Sequence, residues 1–171
     1  VARGDFDAVF IATPCQSYSV AHRPRLRSRR RPLGVASVPA EWQPYLDKHN
    51  NLAKLTARLI RAAHDTHTAW ALENPSDRGD RASHAWWRRD PGHAPIWRMT
   101  AGHDASEDSG GHMRACAQCS LGSAVQKYTS VAHSSDRDPH LAALDDLWCR
   151  HGHERHPELA HGRTEAGASR A

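Results

Sequence analysis

Long apolar runs are missing from this sequence. A membrane-spanning helix takes about 18 consecutive apolar residues, and the 171-residue chain contains no such run. The chain begins with Val, and no signal-peptide pattern follows it. We therefore expect an intracellular protein without membrane contact, located in the nucleus if its host is eukaryotic.

Cysteine is also scarce, with four residues in the chain. So few cysteines do not make the disulfide framework of a small secreted protein. Internal repeats, a glycine-rich phosphate loop and a Ser-His-Asp triad are likewise absent from the sequence. The apolar fraction of 39% is low and the charged fraction is 25%, which predicts long solvated loops around one core.

One domain is the organisation that this length predicts. We assign residues 1–156 to it and expect residues 157–171, which are small and polar, to form a disordered tail. The net charge of +4 permits a polyanionic partner. Neither the sequence nor its composition indicates an oligomeric state.

Two apolar runs predict neighbouring strands. Residues 6–13 are apolar on both faces, as in a central strand of a parallel sheet, and residues 68–72 form the second run. Between them, residues 48–64 predict a helix with an apolar stripe of Leu52, Leu55, Leu59, Ile60 and Ala63. A strand–helix–strand order predicts a parallel pair, which places Cys15 and Glu73 at adjacent strand tips, where open α/β sheets bind ligands.

Further along, the pattern predicts an antiparallel edge and a final helix. Residues 115–119 and 126–132 form two short strands around a turn at Gly122. Residues 104–111 predict a loop. Asp138 and Pro139 then suit the start of a helix. The fold class predicted from these elements is α/β.

A basic segment follows the first strand directly. It suits a loop that binds phosphates, with affinity that depends on salt; a solvated loop and a nuclear-localisation patch are the alternatives. The six arginines of this segment are Arg23, Arg25, Arg27, Arg29, Arg30 and Arg31.

The strand tips resemble a known family. Pro14-Cys15-Gln16-Ser17-Tyr18-Ser19 resembles the Pro-Cys-Gln motif of the DNA (cytosine-5)-methyltransferases, and Ala71-Leu72-Glu73-Asn74-Pro75 resembles their Glu-Asn motif. The resemblance implies a partial, doubly wound Rossmann-like sheet and methyl transfer from S-adenosylmethionine to carbon 5 of cytosine in DNA. Cys15 would attack carbon 6 and Glu73 would bind the ring nitrogen and amine. The implied substrate-binding residues are Pro14, Gln16, Ser17, Asn74 and Gln126.

The resemblance covers the C-terminal half of that family's catalytic domain. The chain starts at the strand that carries Cys15, so the N-terminal half of the same domain, which holds the cofactor, is an expected partner. Without it we expect no methyl transfer. The same motifs, with the Gln-Lys-x-Thr segment at Gln126, also resemble methyltransferase-like domains of protist and algal mobile elements.

Metal and base stacking give alternative interpretations. The pair Cys116 and Cys119, with Cys149 and His153, offers sulfur and nitrogen ligands for zinc. The alternative is that these residues are two ordinary edge-strand cysteines and part of a His-rich tail.

Trp86, Trp87 and Trp97 either pack as core or stack on unpaired bases. A non-catalytic, basic nucleic-acid-binding relic and a small zinc-stabilised nucleic-acid module therefore stay open as alternative functions.

Overall fold

A four-stranded mixed sheet forms the centre of the computed structural model, which describes residues 5–20, 22–80, 90–124 and 127–150. The strands are β1 (Ala8–Ile11), β2 (Ala69–Pro75), β3 (His112–Ala117) and β4 (Tyr128–His133). The helices are α1 (Gln43–Asp65), α2 (Thr100–Asp108) and α3 (Asp138–Leu141). The strand order is β1-β2-β4-β3.

The pairing of the strands agrees with the sequence patterns. β1 and β2 are parallel, with Ile11 opposite Leu72, and α1 connects them along the chain. β3 and β4 form an antiparallel hairpin, and β4 also pairs antiparallel with β2. The predicted α/β class, the parallel pair and the antiparallel hairpin are confirmed.

Several predictions lie outside the described residues. They concern Trp86, Trp87, Gln126, His153 and the tail at residues 157–171. Within the described ranges, no helix combines the length and the apolar character needed to cross a membrane.

Helix α1 begins five residues earlier and ends one residue later than the predicted helix at 48–64. Pro44 lies in its first turn, where a residue without a free N–H is tolerated. At the other end, the Thr66 hydroxyl donates to the Ala62 carbonyl over 2.8 Å, and His67 adopts a φ of 53°. This left-handed residue reverses the chain, so β2 starts at Ala69, four residues after the helix ends.

The face of α1 that packs on the sheet agrees with the predicted stripe at Ile60 and Ala63 and departs from it at Leu55. Ala53, Ala57, Ile60 and Ala63 are fully buried, whereas Leu55 is 47% exposed. Small residues allow the helix to lie close to the large side chains of β2, which fill the core instead. The remaining buried members of this core are Ile11, Tyr18, Trp70, Leu72, Ile96, Trp97, Met99 and Ala132.

The C-terminal segment departs most from the predictions. α3 has four residues and passes into a 3-10 turn at 142–146. The Arg114 guanidinium binds Asp138 (3.0 Å) and Asp145 (2.7 Å), and the Ala117 N–H donates to the Leu147 carbonyl over 2.7 Å. These contacts with the outer edge of β3 compete with a continuous helix. The loop predicted at 104–111 is also corrected, because α2 occupies most of it.

Ile60→Ala tests the observed face of α1. Removing this fully buried side chain should lower the free energy of unfolding by about 2–5 kcal/mol, because it leaves a cavity between α1 and the sheet. The matched change Leu55→Ala, on the exposed face, should stay within about 0.5 kcal/mol of the wild type. Denaturant unfolding measures both values. A larger loss of stability for Leu55→Ala would mean that Leu55 packs in the core, as the sequence predicted.

Candidate functional site

A chain of three hydrogen bonds connects the end of β2 to the end of β1 and onward to α1. The Asn74 side-chain N–H donates to the Thr13 carbonyl over 2.8 Å. The Thr13 and Thr56 hydroxyl oxygens lie 2.5 Å apart, and the Thr56 hydroxyl donates to the Leu52 carbonyl over 3.0 Å. The strand tips are thereby tied to each other and to α1. Cys15 lies two residues after Thr13 in the chain, and Glu73 directly precedes Asn74.

Cys15 begins a single turn of 3-10 helix over Gln16–Tyr18. Its carbonyl accepts the Tyr18 N–H over 2.9 Å, so the thiol stands on a fixed turn. The Cys15 side chain is partly exposed and is not in a disulfide. The neighbouring Pro14 and Gln16 are exposed, whereas Ser17 and Tyr18 are buried.

Helix α1 packs against this turn. The Tyr18 hydroxyl donates to the His49 carbonyl over 2.9 Å. The His49 ring is buried, and this burial lowers the pKa of His49. Among the described residues, the His49 Nδ1 atom has no partner. The Tyr18 hydroxyl thus fixes the end of the Cys15 turn on α1.

Arg27 is buried beside the Cys15 turn, with 3% of its surface exposed. Its guanidinium donates to Ser17 Oγ (3.2 Å), the Pro32 carbonyl (2.5 Å) and Asn50 Oδ1 (2.7 Å). It also lies 4.4 Å from the centre of the Tyr18 ring. These partners are all uncharged. Burial lowers the pKa of Arg27, yet an arginine keeps its charge at neutral pH.

Two further arginines of the basic segment bind carboxylates. Arg25 pairs with Asp90, and Arg29 pairs with Asp77 at 2.9 Å. Asp77 also accepts from Arg98 over 2.8 Å. These pairs attach the basic segment to the chain that follows β2.

The side chains of Arg23, Arg30 and Arg31 are exposed. Arg23 donates to the Val20 and His22 carbonyls, and the described residues supply no carboxylate partner for any of the three. Of the six arginines predicted to bind DNA, these three present their charge to solvent, while Arg27 is an interior residue.

Glu73 extends from β2 toward β4. Its Oε1 atom accepts a hydrogen bond from the Thr129 hydroxyl and lies 3.4 Å from Lys127 Nζ. The carboxylate is partly exposed, and its Oε2 atom has no hydrogen-bond partner in the described part of the chain. Lys127 and Thr129 belong to the Gln-Lys-x-Thr segment of the sequence, but their contact with Glu73 could not be predicted, because it depends on the register of β4 against β2.

The residues predicted to bind substrate separate into two groups. Pro14 and Gln16 are exposed beside the thiol. Asn74 is fully buried, and Ser17 is buried against Arg27. Asn74 and Ser17 therefore position the strand tip and the turn, and Pro14 and Gln16 are the exposed pair among the described residues of this prediction.

The cysteines predicted as zinc ligands occupy the hairpin and the C-terminal segment. Cys119 packs with Ala117 and Tyr128, and Cys149 lies against this group. Burial, together with the hydrogen bond to the Cys149 thiol, raises the pKa of Cys119 to about 11. Burial also raises the pKa of Cys116. Among the described residues, no three His, Cys, Asp or Glu side chains are grouped to hold a metal ion, and zinc stays a prediction.

Trp97 and His93 attach the chain after β2 to the site. Trp97 is buried in the core, and its indole N–H donates to the Pro75 carbonyl over 2.8 Å. The His93 Nδ1 atom accepts the Arg78 N–H over 3.0 Å, while Nε2 lies 2.7 Å from the Tyr18 carbonyl and donates to it. These two contacts define a neutral ring, in agreement with burial, which lowers the pKa of His93.

Comparison with models of known protein families gives no match, and comparison with curated proteins gives no significant match.

Arg27→Met tests the structural role of the buried guanidinium. It should lower the free energy of unfolding by about 2–3 kcal/mol, because the Asn50 and Pro32 oxygens lose their charged donor. Arg30→Met, at an exposed arginine of the same segment, should stay within about 0.5 kcal/mol of the wild type. Chemical denaturation gives both numbers, and equal values would contradict the observed burial of Arg27.

His93→Gln tests the neutral histidine through pH. The folded-state pKa of His93 is below its unfolded value of about 6.5, so its contribution to stability is present above that pH. It is lost as the pH falls, because the unfolded chain binds a proton that the folded chain does not. The wild type should lose up to about 1.4 kcal/mol per pH unit more than His93→Gln below roughly pH 6.5.

Unfolding titrations at a series of pH values measure this difference. Glutamine can replace both hydrogen bonds of the ring but does not titrate. His140→Gln, at an exposed histidine of α3, is the matched control and should keep the wild-type slope. Identical slopes for the wild type and His93→Gln would show that His93 is not held neutral.

Proposed function

We propose that this chain is the catalytic half of a DNA cytosine-5-methyltransferase-like domain with a partial Rossmann-like sheet, and that Cys15 is its nucleophile. The observation that supports the proposal most is the parallel register of β1 and β2. In this register the chain ends of β1 and β2 lie side by side, and Thr13 and Asn74, close in sequence to Cys15 and Glu73, are hydrogen-bonded. A thiol and a carboxylate at adjacent strand tips are the two groups that addition to a cytosine ring needs.

Cys15 supplies the electron pair for this addition. As a thiolate it forms a bond to carbon 6, and the electrons of the 5–6 double bond move toward carbon 5 and nitrogen 3. Carbon 5 then becomes nucleophilic. The fixed 3-10 turn and the exposed neighbours Pro14 and Gln16 leave the thiol accessible to a base, which must first leave the DNA stack.

Glu73 stabilises the charge that develops on the ring. Its carboxyl group bonds nitrogen 3 and the exocyclic amine, the positions that gain or share charge after the addition. Thr129 and Lys127 fix one oxygen, Oε1, which orients the carboxyl group. Oε2 is the oxygen that we assign to the base.

The two glycines that follow β2, Gly79 and Gly92, do not leave open backbone for a cofactor such as S-adenosylmethionine. A cofactor of this kind needs a glycine where its backbone leaves open space. The Arg29 guanidinium lies 2.5 Å from the position of a Cβ at Gly79, and the Arg25 guanidinium lies 2.7 Å from that at Gly92. Methyl-donor binding therefore belongs, in this proposal, to the N-terminal half of the same domain, and the chemistry of this chain ends at the addition to carbon 6.

A second candidate function is a nucleic-acid-binding module without turnover. The exposed side chains of Arg23, Arg30 and Arg31 favour it, because the described residues supply no carboxylate partner for them. In this alternative Arg23, Arg30 and Arg31 bind phosphates, and Cys15 is idle.

Exchange of the cytosine carbon-5 hydrogen tests the proposal without any cofactor. Addition of Cys15 allows carbon 5 to take a deuteron from D2O; loss of the original proton and expulsion of the thiolate then restore the ring. The chain should accelerate deuterium uptake in a cytosine-containing oligonucleotide, measured by mass spectrometry of the nucleosides. Cys15→Ser should abolish the acceleration, and Glu73→Gln should reduce it by about 10²–10⁴-fold.

Cys149→Ser is the matched control, since Cys149 is a partly exposed thiol in the C-terminal segment, and it should exchange like the wild type. Unfolding curves establish that Cys15→Ser keeps the fold. Exchange that survives Cys15→Ser would exclude Cys15 as nucleophile. DNA binding without any exchange would support the module without turnover.

A further inference from the structure

Four aromatic rings form a cluster at the start of α1. His22 comes from the basic segment, Trp42 from the 3-10 turn before the helix, and Tyr45 and His49 from the helix itself. The ring centres are 5.3 Å apart for His22 and Trp42, 5.6 Å for His22 and Tyr45, and 4.4 Å for Tyr45 and His49. We call these four residues the aromatic cluster.

The aromatic cluster lies against the Cys15 turn. His49, its buried member, makes an edge-on contact with the ring of Tyr18, the last residue of the Cys15 turn, with the ring centres 6.3 Å apart. Burial raises the pKa of Tyr45, and the Cys15 thiol is near enough to contribute in the same direction. A ligand that reaches the thiol therefore comes within reach of these rings.

Three rings of the cluster remain partly exposed: His22, Trp42 and Tyr45. None of the three belongs to either buried hydrophobic cluster of the described residues. The T-shaped and stacked contacts hold the rings in fixed orientations, because each ring contacts two others. Fixed, partly exposed rings are the elements with which proteins stack on unpaired bases.

The charges around the aromatic cluster suit a polyanion. Arg23 directly follows His22 and is exposed, and Lys48 is exposed on α1, close enough to act on His49. Glu41 precedes Trp42 and is the acidic residue of that turn. The next acid, Asp47, accepts from Gln43 over 2.9 Å along the helix. The two exposed cations are placed to meet phosphates on either side of a stacked base.

We propose that the aromatic cluster is a stacking platform for an unpaired DNA base next to the base that Cys15 attacks. The inference rests on the proposed function for its substrate class, DNA. It adds a contact that acts through the face of a base, so it does not depend on which base is stacked. It also gives α1 and the basic segment a joint role in holding DNA locally open.

Paired oligonucleotides separate stacking from phosphate binding. Fluorescein-labelled single-stranded oligothymidine carries bases, whereas an abasic oligonucleotide of equal length carries the same phosphates without them. The wild-type chain should bind oligothymidine about 5–150-fold more tightly, the range expected for one stacked base. Equal affinity for the two probes would overturn the proposal.

Substitutions then locate the stacking contact. Trp42→Leu and Tyr45→Leu should each reduce the preference for oligothymidine, with unchanged dependence of affinity on salt, because the phosphate contacts remain. Tyr45→Phe should keep the preference, since it keeps the ring. Phe6→Ala is the control: Phe6 is an exposed aromatic residue that precedes β1, at the end opposite to Cys15.

The outcomes distinguish this inference from the proposed function. Oligothymidine contains no cytosine, so Cys15→Ser should bind it like the wild type, and a failure of hydrogen exchange leaves the stacking result intact. If Trp42→Leu and Tyr45→Leu lower the melting temperature but keep the preference for oligothymidine, the aromatic cluster is a structural element and the proposal is wrong. If either variant does not fold, His22→Ala replaces it. This variant should also reduce the preference for oligothymidine, and an unchanged preference would contradict the proposal.

Discussion

The burial of Arg27 is the constraint on which the site depends. A buried guanidinium without a carboxylate is costly unless neutral oxygens accept its hydrogen bonds, and Ser17, Pro32 and Asn50 provide them. These partners come from the Cys15 turn, the end of the basic segment and α1. One side chain therefore fixes three separate parts of the chain, and the Tyr18 ring packs against it. The position of the thiol follows from this arrangement.

The basic segment consequently divides its arginines between architecture and surface charge. Arg25 and Arg29 bind Asp90 and Asp77, which attaches the segment to the chain after β2. These ion pairs connect the path of the segment to the chain after β2, and the more exposed of them, Arg25–Asp90, contributes about 0–1 kcal/mol. The aromatic cluster begins where this segment meets α1. Charge for a polyanion and rings for a base are thus presented from the same supporting elements.

Local sequence patterns predicted the strands and their order, because these features depend on residues that are close in the chain. The apolar runs gave β1 and β2, and the parallel order placed Cys15 near Glu73. The predicted stripe of α1 was right at Ile60 and Ala63 and wrong at Leu55, because hydrophobicity favoured Leu55 over Ala53, whereas the close approach of β2 selects small residues. Partners such as Thr129 for Glu73 come from strand register, which no local pattern contains. The roles assigned to Cys15 and Glu73 stay predictions that the exchange experiment tests.

The alanines of α1 have a consequence for mutational tolerance. Ala53, Ala57 and Ala63 set the distance between the helix and the sheet, and overpacking such a contact costs about 1–3 kcal/mol. A larger side chain would shift α1 and, through the Thr56–Thr13 and His49–Tyr18 contacts, the turn that carries the thiol. Substitutions at these alanines would therefore behave as site substitutions, although nearly forty residues or more separate them from Cys15 in the sequence.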